Sequence, residues 1–401
     1  SIIKTAVVPP VLLAVAAVLC YLFIVRGMYA LEDLPVKKIP RWSKICIEVV
    51  MVVFFLHTVQ VQGTEIGMWD YIQSVRESSD FYEKEYVNPA KVKMTFPKEK
   101  KNLIYIFMES MESSYADKED GGTMDDNYIP NLTKLARENV QFTDKKDGKV
   151  GGPVCLEATA YTAGGLVAQT SAINLKVMNS GAVSDSFLPN LTALGDILNK
   201  QGYNQMFLCG SDGDFAGRDA YFKTHKDYQI EDYKAAIKEG DIPKDYKVYW
   251  GHEDKVLYER AKKNLKKLSK EGKPFNLTML TVDTHFPNGY ICDLCENKYD
   301  TTYGNAVACA DRQVYDFVQW IKKQDFYEDT TIIIAGDHTS MVDTGSKFWK
   351  SLSNDYQRTV YNAIINPQCA YKKKVTTKRK FSTMDMFPTT LAALGVEIDG
   401  N

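Results

Sequence analysis

The chain has 401 residues, room for two or three domains at roughly 150 residues each, one of them with a substantial core. Its 49 Lys and Arg against 51 Asp and Glu leave a net charge of −2, so it lacks the global basic field that non-specific nucleic-acid binding relies on, and no nucleic-acid partner is expected. With 45% hydrophobic and 25% charged residues, the totals exclude a disordered or collagen-like chain and fit a folded globular one.

Thr5 to Val25 runs for 21 positions without a charge, enough to cross a hydrocarbon core of ~30 Å at about 1.5 Å per residue. Pro9 and Pro10 would break a soluble helix, but near a membrane helix end neighbouring helices or water can satisfy the freed carbonyls. A second apolar stretch, Ile45 to Val61, contains Glu48 and His57 and is shorter; it is expected to cross the membrane or to lie at its interface. Between them, Arg26, Lys37, Lys38, Arg41 and Lys44 face only Glu32 and Asp33, which marks a cytoplasmic loop by the positive-inside rule. If the second stretch crosses outward, everything after about Gln62 is extracytoplasmic. The start at Ser1, with no charged region followed by a cleavage site, is not a signal peptide and suggests a fragment whose upstream spans were removed, as in a multi-pass membrane protein.

The sequence thus divides into a membrane region over 1–65 with one or two transmembrane helices, a juxtamembrane part over 66–101 and an extracytoplasmic domain over 102–401. Trp69, Tyr71, Ile72, Val75, Phe81 and Tyr82 recur at roughly helical spacing, as in an amphipathic helix on the membrane surface; a helix packed on the soluble domain fits equally. Asn88 to Lys101, with two prolines and many lysines, reads as an extended connector. Beyond it Leu103 to Met108, Asn204 to Cys209, Phe275 to Thr281 and Thr330 to Ala335 read as buried strands. Pro130 to Asn139 reads as a helix, and Leu257, Ala261, Leu265 and Leu268 form the apolar stripe of another. The alternation predicts an α/β sheet with helices on both faces and ligands gathered at the carboxyl ends of the strands. The basic run Lys372, Lys373, Lys374, Lys378, Arg379 and Lys380 reads as a solvated loop, with lipid headgroups the sharper alternative.

The polar residues directly after these strands are the candidates for chemistry. Glu109 follows LIYIFM, Asp283 and His285 follow FNLTMLTV, and Asp337 with His338 follow TIIIAG. Two or three carboxylates and two imidazoles are therefore delivered toward one sheet edge, a donor set suited to a divalent cation of intermediate hardness such as Mn²⁺ or Zn²⁺. His57, His225 and His252 have no such placement and read as structural or exposed. The segment EATAYTAGGLVAQTSAINL offers hydroxyls before a small-residue helix. A threonine in its first turn would lie where free N–H groups and the dipole favour an anion, and metal coordination would make it a nucleophile; an ordinary N-cap threonine is the bland reading. Cys292, Cys295 and Cys309 lie within 18 residues. In an exterior compartment Cys309 is expected to bridge Cys292 or Cys295, while a zinc site at CDLC would need a second Cys or His pair, and none follows.

Taken in order, NLIYIFMES, AYTAGGLVAQTSAINL, GRDAYF, LTVDTHFP, IIIAGDH and STMDMFPTTLAALG resemble the lipoteichoic acid synthase and membrane-derived-oligosaccharide phosphoglycerol transferase family, part of the alkaline phosphatase and sulfatase superfamily. The resemblance runs from about Tyr86 to the carboxyl end and implies a sulfatase-like fold. It implies Glu109, Asp337 and His338 as metal ligands and Thr162 as the nucleophile that also touches the metal, with Thr159 as a second candidate. It implies that His285 contacts the phosphate or leaving group and that Arg218 binds the glycerol-phosphate group. It also implies Mn²⁺, with Mg²⁺ or Zn²⁺ as alternatives. Where lipoteichoic acid synthases carry an aromatic two residues before this arginine, Ala216 stands here, which puts headgroup stacking at that position in doubt. The sulfatase nucleophile pattern CxPxR is absent around every Cys.

The implied reaction moves glycerol phosphate from phosphatidylglycerol through a glycerophospho-threonine to a polyglycerolphosphate chain or glycan acceptor, releasing diacylglycerol. A phosphoethanolamine transferase or lipid phosphodiesterase with the same metal and threonine is the nearest alternative. A membrane sensor that keeps the fold without turnover is the alternative of another class.

Overall fold

A computed structural model of the chain describes residues 41–65, 68, 69, 72, 84–146, 148–175, 186–226, 228–370 and 376–399. The chain divides into two units, Ser1–Tyr86 and Val87–Asn401. In the first, α1 (Arg41–Glu65) is a single 25-residue helix with Ile45, Val49, Val50, Val53, Phe54 and Phe55 exposed. Among the described residues no helix is long and apolar enough to cross a membrane. Helix α1 contains Ile45 to Val61, the stretch expected to cross the membrane or to lie at its interface. The span expected over Thr5 to Val25, and most of the amphipathic stretch Gly67 to Tyr86, lie outside the described residues.

The second unit begins with β1 (Lys93–Thr95) and proceeds through β2 (Asn102–Met108), α2 (Pro130–Glu138), α3 (Thr162–Ser171), α4 (Leu194–Lys200), β3 (Asn204–Cys209) and α5 (Arg218–Thr224). It continues through β4 (Gln229–Glu231), α6 (Tyr233–Glu239), α7 (Asp254–Leu268), β5 (Phe275–Leu280), α8 (Thr302–Ile321), β6 (Thr330–Gly336), β7 (Asn362–Ile365), α9 (Met386–Ala393) and β8 (Glu397–Asp399). The segment expected as a connector contributes β1, which pairs antiparallel with β8. The boundary of the compact unit accordingly falls at Val87 and not at Asn102.

Six strands form one sheet in the order β4-β3-β5-β2-β6-β7. The first five run parallel, and β7 lies antiparallel on the β6 edge. Strands buried on both faces carry continuous apolar runs instead of alternation, and Leu103 to Met108 are all buried. Their side chains still divide by parity. Ile104, Ile106 and Met108 pack with Leu257, Ala261 and Leu265 of α7 and with Val314 and Phe317 of α8. Leu103, Tyr105 and Phe107 pack with Leu166 of α3, Leu198 of α4 and Leu391 of α9. Helices cover both faces, as the strand and helix alternation predicts. Of the basic run, Lys378, Arg379 and Lys380 are exposed, and Lys372 to Lys374 lie outside the described residues.

The approach of α3 to the sheet sets up the site. Gln169 donates from Nε2 to the Gly336 carbonyl at 2.8 Å and accepts from the Tyr105 hydroxyl at 2.9 Å, which ties the helix to β2 and to the end of β6. Gly165 permits the close contact, since a Cβ there would meet the Asp337 carbonyl at 2.2 Å. Gly165→Ala is therefore expected to destabilise the fold by about 1–3 kcal/mol through overpacking and to push Asp337 out of register. Thermal unfolding should show a lower Tm together with weakened cation binding; an unchanged Tm would contradict this packing.

Candidate active site

The carboxyl ends of β2, β5 and β6 and the amino end of α3 meet at one place. Glu109, the first residue after β2, is buried, and its N–H donates to Thr281 Oγ1 at 2.9 Å. Ser110 next to it takes a φ of 52°, a left-handed conformation that few non-glycine residues adopt. That turn directs its N–H to Asp337 Oδ1 at 2.8 Å and its hydroxyl to Glu109 Oε1 at 2.7 Å. After β6, Asp337 Oδ1 also accepts from the His338 N–H at 2.7 Å.

His338 Nδ1 lies 2.8 Å from the Thr339 carbonyl, which holds a proton on Nδ1 and makes Nε2 the nitrogen that turns to a cation once its own proton has left. That Nε2 lies 3.3 Å from Glu109 Oε1 and 3.6 Å from Asp337 Oδ2. Thr162 Oγ1 is 3.2 Å from Glu109 Oε2 and 3.4 Å from His338 Nε2. Glu109, Asp337 and His338 each offer a ligand atom within 4.8 Å of the others. Asp337 Oδ2 is buried and has no hydrogen-bond partner. A lone buried carboxylate oxygen is costly, and two carboxylates, one imidazole nitrogen and a hydroxyl suit a divalent cation of intermediate hardness. The residues present fit such an ion.

Without a cation, protons hold these charges together. Burial and the neighbouring Glu109 push the Asp337 carboxyl up to about 8. Burial works against the charge on His338, but Asp337 and Glu109 outweigh it and raise the imidazole to about 10. Burial likewise opposes ionisation of Glu109, yet the facing His338 holds it down at about 2.

Thr162 opens the first turn of α3 with Tyr161 as an extended N-cap residue, so its hydroxyl sits among N–H groups that lack intrahelical partners. Thr159 has another position. Its hydroxyl bonds Leu156 N at 2.9 Å, Leu156 O at 3.0 Å and Thr383 Oγ1 at 3.1 Å, closing a short turn away from the carboxylates.

A cavity of about 310 Å³ opens beside Thr162 and Glu109 and is lined also by Ser211, Arg218, Tyr249, Trp250 and His285. Arg218 is buried and fixed by bonds to the Phe215 carbonyl at 3.0 Å, Ser211 Oγ at 3.0 Å and the Asp212 carbonyl at 2.6 Å. His285 Nδ1 lies 2.8 Å from the Phe286 carbonyl, which leaves Nε2 free for a ligand. The aromatic missing at Ala216 is supplied nearby by Phe215, which lines the cavity with its ring 5.6 Å from Trp250. Sequence reasoning missed Lys247, Tyr249 and Trp250, which reach the site from an irregular segment and follow no strand. It also missed Glu112, buried behind the site, which accepts from the Ser340 N–H at 2.7 Å and pairs with Arg358.

Asp283 does not join the three converging groups. It is buried with neither carboxyl oxygen partnered, and burial, then the charge of Asp254, raises it to about 9. Cys309 is bridged to Cys295, while Cys292 lies 3.6 Å from one sulfur and 4.0 Å from the other. His225 pairs with Asp196 at 2.7 Å and His252 is buried, in keeping with structural roles.

A family model described as Sulfatase matches residues 101–396. The chain belongs to the sulfatase family. This sulfatase-family chain is 32% identical over 322 residues to phosphoglycerol transferase I of Salmonella typhimurium, an alignment covering 77% of the chain and 39% of that protein. It thus spans 39% of the length of the curated relatives it matches. Among solved structures, the lipoteichoic acid synthase LtaP from Listeria monocytogenes is similar with a TM-score of 0.58 and 19% identity, covering 77% of this chain and 76% of that one. The C-terminal periplasmic domain of EcEptC from Escherichia coli, in complex with Zn, gives a TM-score of 0.54 at 14% identity, covering 78% and 88%. These likenesses show the shared fold.

Because Asp337 and His338 hold protons up to about pH 8 and about pH 10, cation binding must expel protons. Affinity is expected to rise with pH through this range and to fall as protons reclaim the ligands at lower pH. Calorimetric titration of Mn²⁺ in buffers of different protonation enthalpy should show proton release, and Asp337→Asn should weaken binding by at least about tenfold. Buffer-independent heats would contradict this account.

Proposed function

We propose that the chain is the catalytic part of a membrane-anchored phosphoglycerol transferase, with Thr162 as nucleophile and Glu109, Asp337, His338 and the Thr162 hydroxyl as the ligand set for a divalent cation. The observation that carries the reading is the Thr162 hydroxyl at a helix amino end, 3.2 Å from Glu109 Oε2 and 3.4 Å from His338 Nε2, beside a buried carboxylate oxygen without a partner. Bound there, Mn²⁺, or Mg²⁺ or Zn²⁺ in its place, would supply Lewis-acid stabilisation of phosphoryl charge and acidify the threonine hydroxyl.

Thr162 Oγ1, its acidified proton given up to solvent, attacks the phosphorus of phosphatidylglycerol; a Thr162 O–P bond forms and the bond to the diacylglycerol oxygen breaks. Glu109, an acceptor at its carboxylate oxygens, orients the attacking hydroxyl. His285, through Nε2, delivers the proton that the departing diacylglycerol oxygen needs. Unpaired N–H groups of the first turn of α3 face the charge on the phosphoryl oxygens. An acceptor hydroxyl on a glycerol-phosphate chain or glycan then gives its proton to His285 Nε2 and forms the new O–P bond, the Thr162 O–P bond breaks, and the Thr162 oxygen regains a proton from solvent. Arg218, held by Ser211 and Asp212, binds the glycerol-phosphate group.

Arg218 and Lys247 both line the cavity, and two cationic side chains disfavour the ammonium of an ethanolamine headgroup, which argues against the phosphoethanolamine alternative. The Cys295–Cys309 disulfide supports an extracytoplasmic domain. Anchoring through Thr5 to Val25 keeps it at the bilayer that holds the donor lipid.

Incubated with Mn²⁺ and fluorescent phosphatidylglycerol, the full chain is expected to release labelled diacylglycerol. Thr162→Ala should lower the rate by at least about 1,000-fold, as loss of a nucleophile does, while Thr159→Ala should retain turnover. Cleavage of phosphatidylethanolamine in place of phosphatidylglycerol would overturn the donor assignment, and full activity of Thr162→Ala would overturn the nucleophile.

A further inference from the structure

Large apolar side chains that the core does not take up occur in the cavity lining, at Phe215, Tyr249 and Trp250, and in the segment that follows His285. Phe215 is 55% exposed, Tyr249 37%, Trp250 38%, Phe286 37%, Ile291 40% and Leu294 46%. The aromatic members form one connected surface. The Trp250 ring lies 5.6 Å from Phe215 and 4.8 Å from His285, and Phe286 stacks 4.9 Å from His285. Tyr249 ties the two segments together, donating to the Phe286 carbonyl at 3.0 Å and stacking on Tyr290 at 6.0 Å. Ile291 follows Tyr290 directly, and Leu294 lies in the tight turn closed by the bond from Cys295 N to the Cys292 carbonyl at 3.0 Å.

Singly exposed apolar residues need no explanation, whereas a contiguous apolar rim around a polar opening marks an interaction site. Two classes of partner would fit aromatic rings, a glycan or a bilayer. Sugar stacking uses aromatic faces flanked by hydrogen-bonding groups and gains nothing from Ile291 and Leu294. A bilayer interface takes Trp and Tyr at the headgroup level, Phe, Ile and Leu below it, and a lysine such as Lys247 against anionic headgroups.

We propose that this rim, with Phe286, Ile291 and Leu294 at its outer edge, enters the headgroup and upper acyl region of an anionic bilayer and seats the cavity mouth over the donor lipid. The proposal rests on the phosphoglycerol transferase reading and deepens it: the donor diester reaches Thr162 without its acyl chains passing through water. Rim insertion replaces extraction of the lipid.

The test uses the full chain in bilayers containing phosphatidylglycerol, in a Thr162→Ala background so that no turnover intervenes. An environment-sensitive fluorescent amino acid is installed at position 291, and in a control at position 270, beyond the end of α7. Blue-shifted, bilayer-quenched emission at 291 with water-like emission at 270 is the expected result; water-like emission at both positions would overturn the proposal. A second arm compares Ile291→Asp/Leu294→Asp with the unmodified chain on two donors. The double variant should turn over bilayer phosphatidylglycerol at least about tenfold more slowly and a water-soluble short-chain phosphatidylglycerol at the same rate. Equal rates on the bilayer donor would overturn the rim, and an equal loss when glycan acceptor is varied on the short-chain donor would assign the rim to the glycan instead. An unmodified chain inactive on both donors would overturn the transferase reading while leaving the fluorescence result to decide the rim.

Discussion

The repulsion between two buried carboxylates, Glu109 and Asp337, organises the site. Parallel pairing of β2 with β6, in register from Asn102 and Thr330 to Met108 and Gly336, delivers both acids to the same sheet edge. Burial makes their charges expensive, and His338, the Ser110 and Thr162 hydroxyls and a few N–H groups offset them in part. The sheet can hold this arrangement because its strands are apolar on both faces and the helices on each side lock them. Two of the compensations lie in the backbone, in the left-handed turn at Ser110 and the close seat of Gly165 under the Asp337 carbonyl. What the protein itself leaves uncompensated, above all Asp337 Oδ2, is the demand that a divalent cation would meet.

The rest of the site follows from where the next elements stop. The first turn of α3 brings Thr162 and its unpaired N–H groups against the carboxylates. The end of β5 delivers His285, and α5 turns Arg218 inward beneath Phe215. A phosphodiester placed there would find a hydroxyl nucleophile, an anion-stabilising helix end, an imidazole and a guanidinium from four separate elements. Each belongs to a different span of sequence, so the site exists only where the sheet and its helices are assembled.

Much of this was legible beforehand because strand ends can be read from apolar runs. Glu109, Asp337 and His338 each follow such a run directly, and the small residues after Thr162 announce a helix that packs closely. Asp283 follows a run as well, yet lies apart with Asp254, because three residues past the end of β5 the chain has already turned. The choice between Thr159 and Thr162 as neighbour of the carboxylates needed the fold, since one hydroxyl closes a local turn and the other faces Glu109. Tyr249 and Trp250 gave no signal; they come from an irregular segment whose path is fixed by tertiary bonds such as His252 N to the Gly210 carbonyl at 2.8 Å.

The central claim is a covalent glycerophosphoryl group on Thr162, and trapping it tests that claim most directly. The Mn²⁺-loaded chain, mixed with phosphatidylglycerol in the absence of any acceptor and quenched in acid, should yield on peptide mapping by mass spectrometry a glycerophosphoryl adduct confined to Thr162. An unmodified Thr162 peptide alongside released diacylglycerol, or the adduct on another residue, would contradict the account.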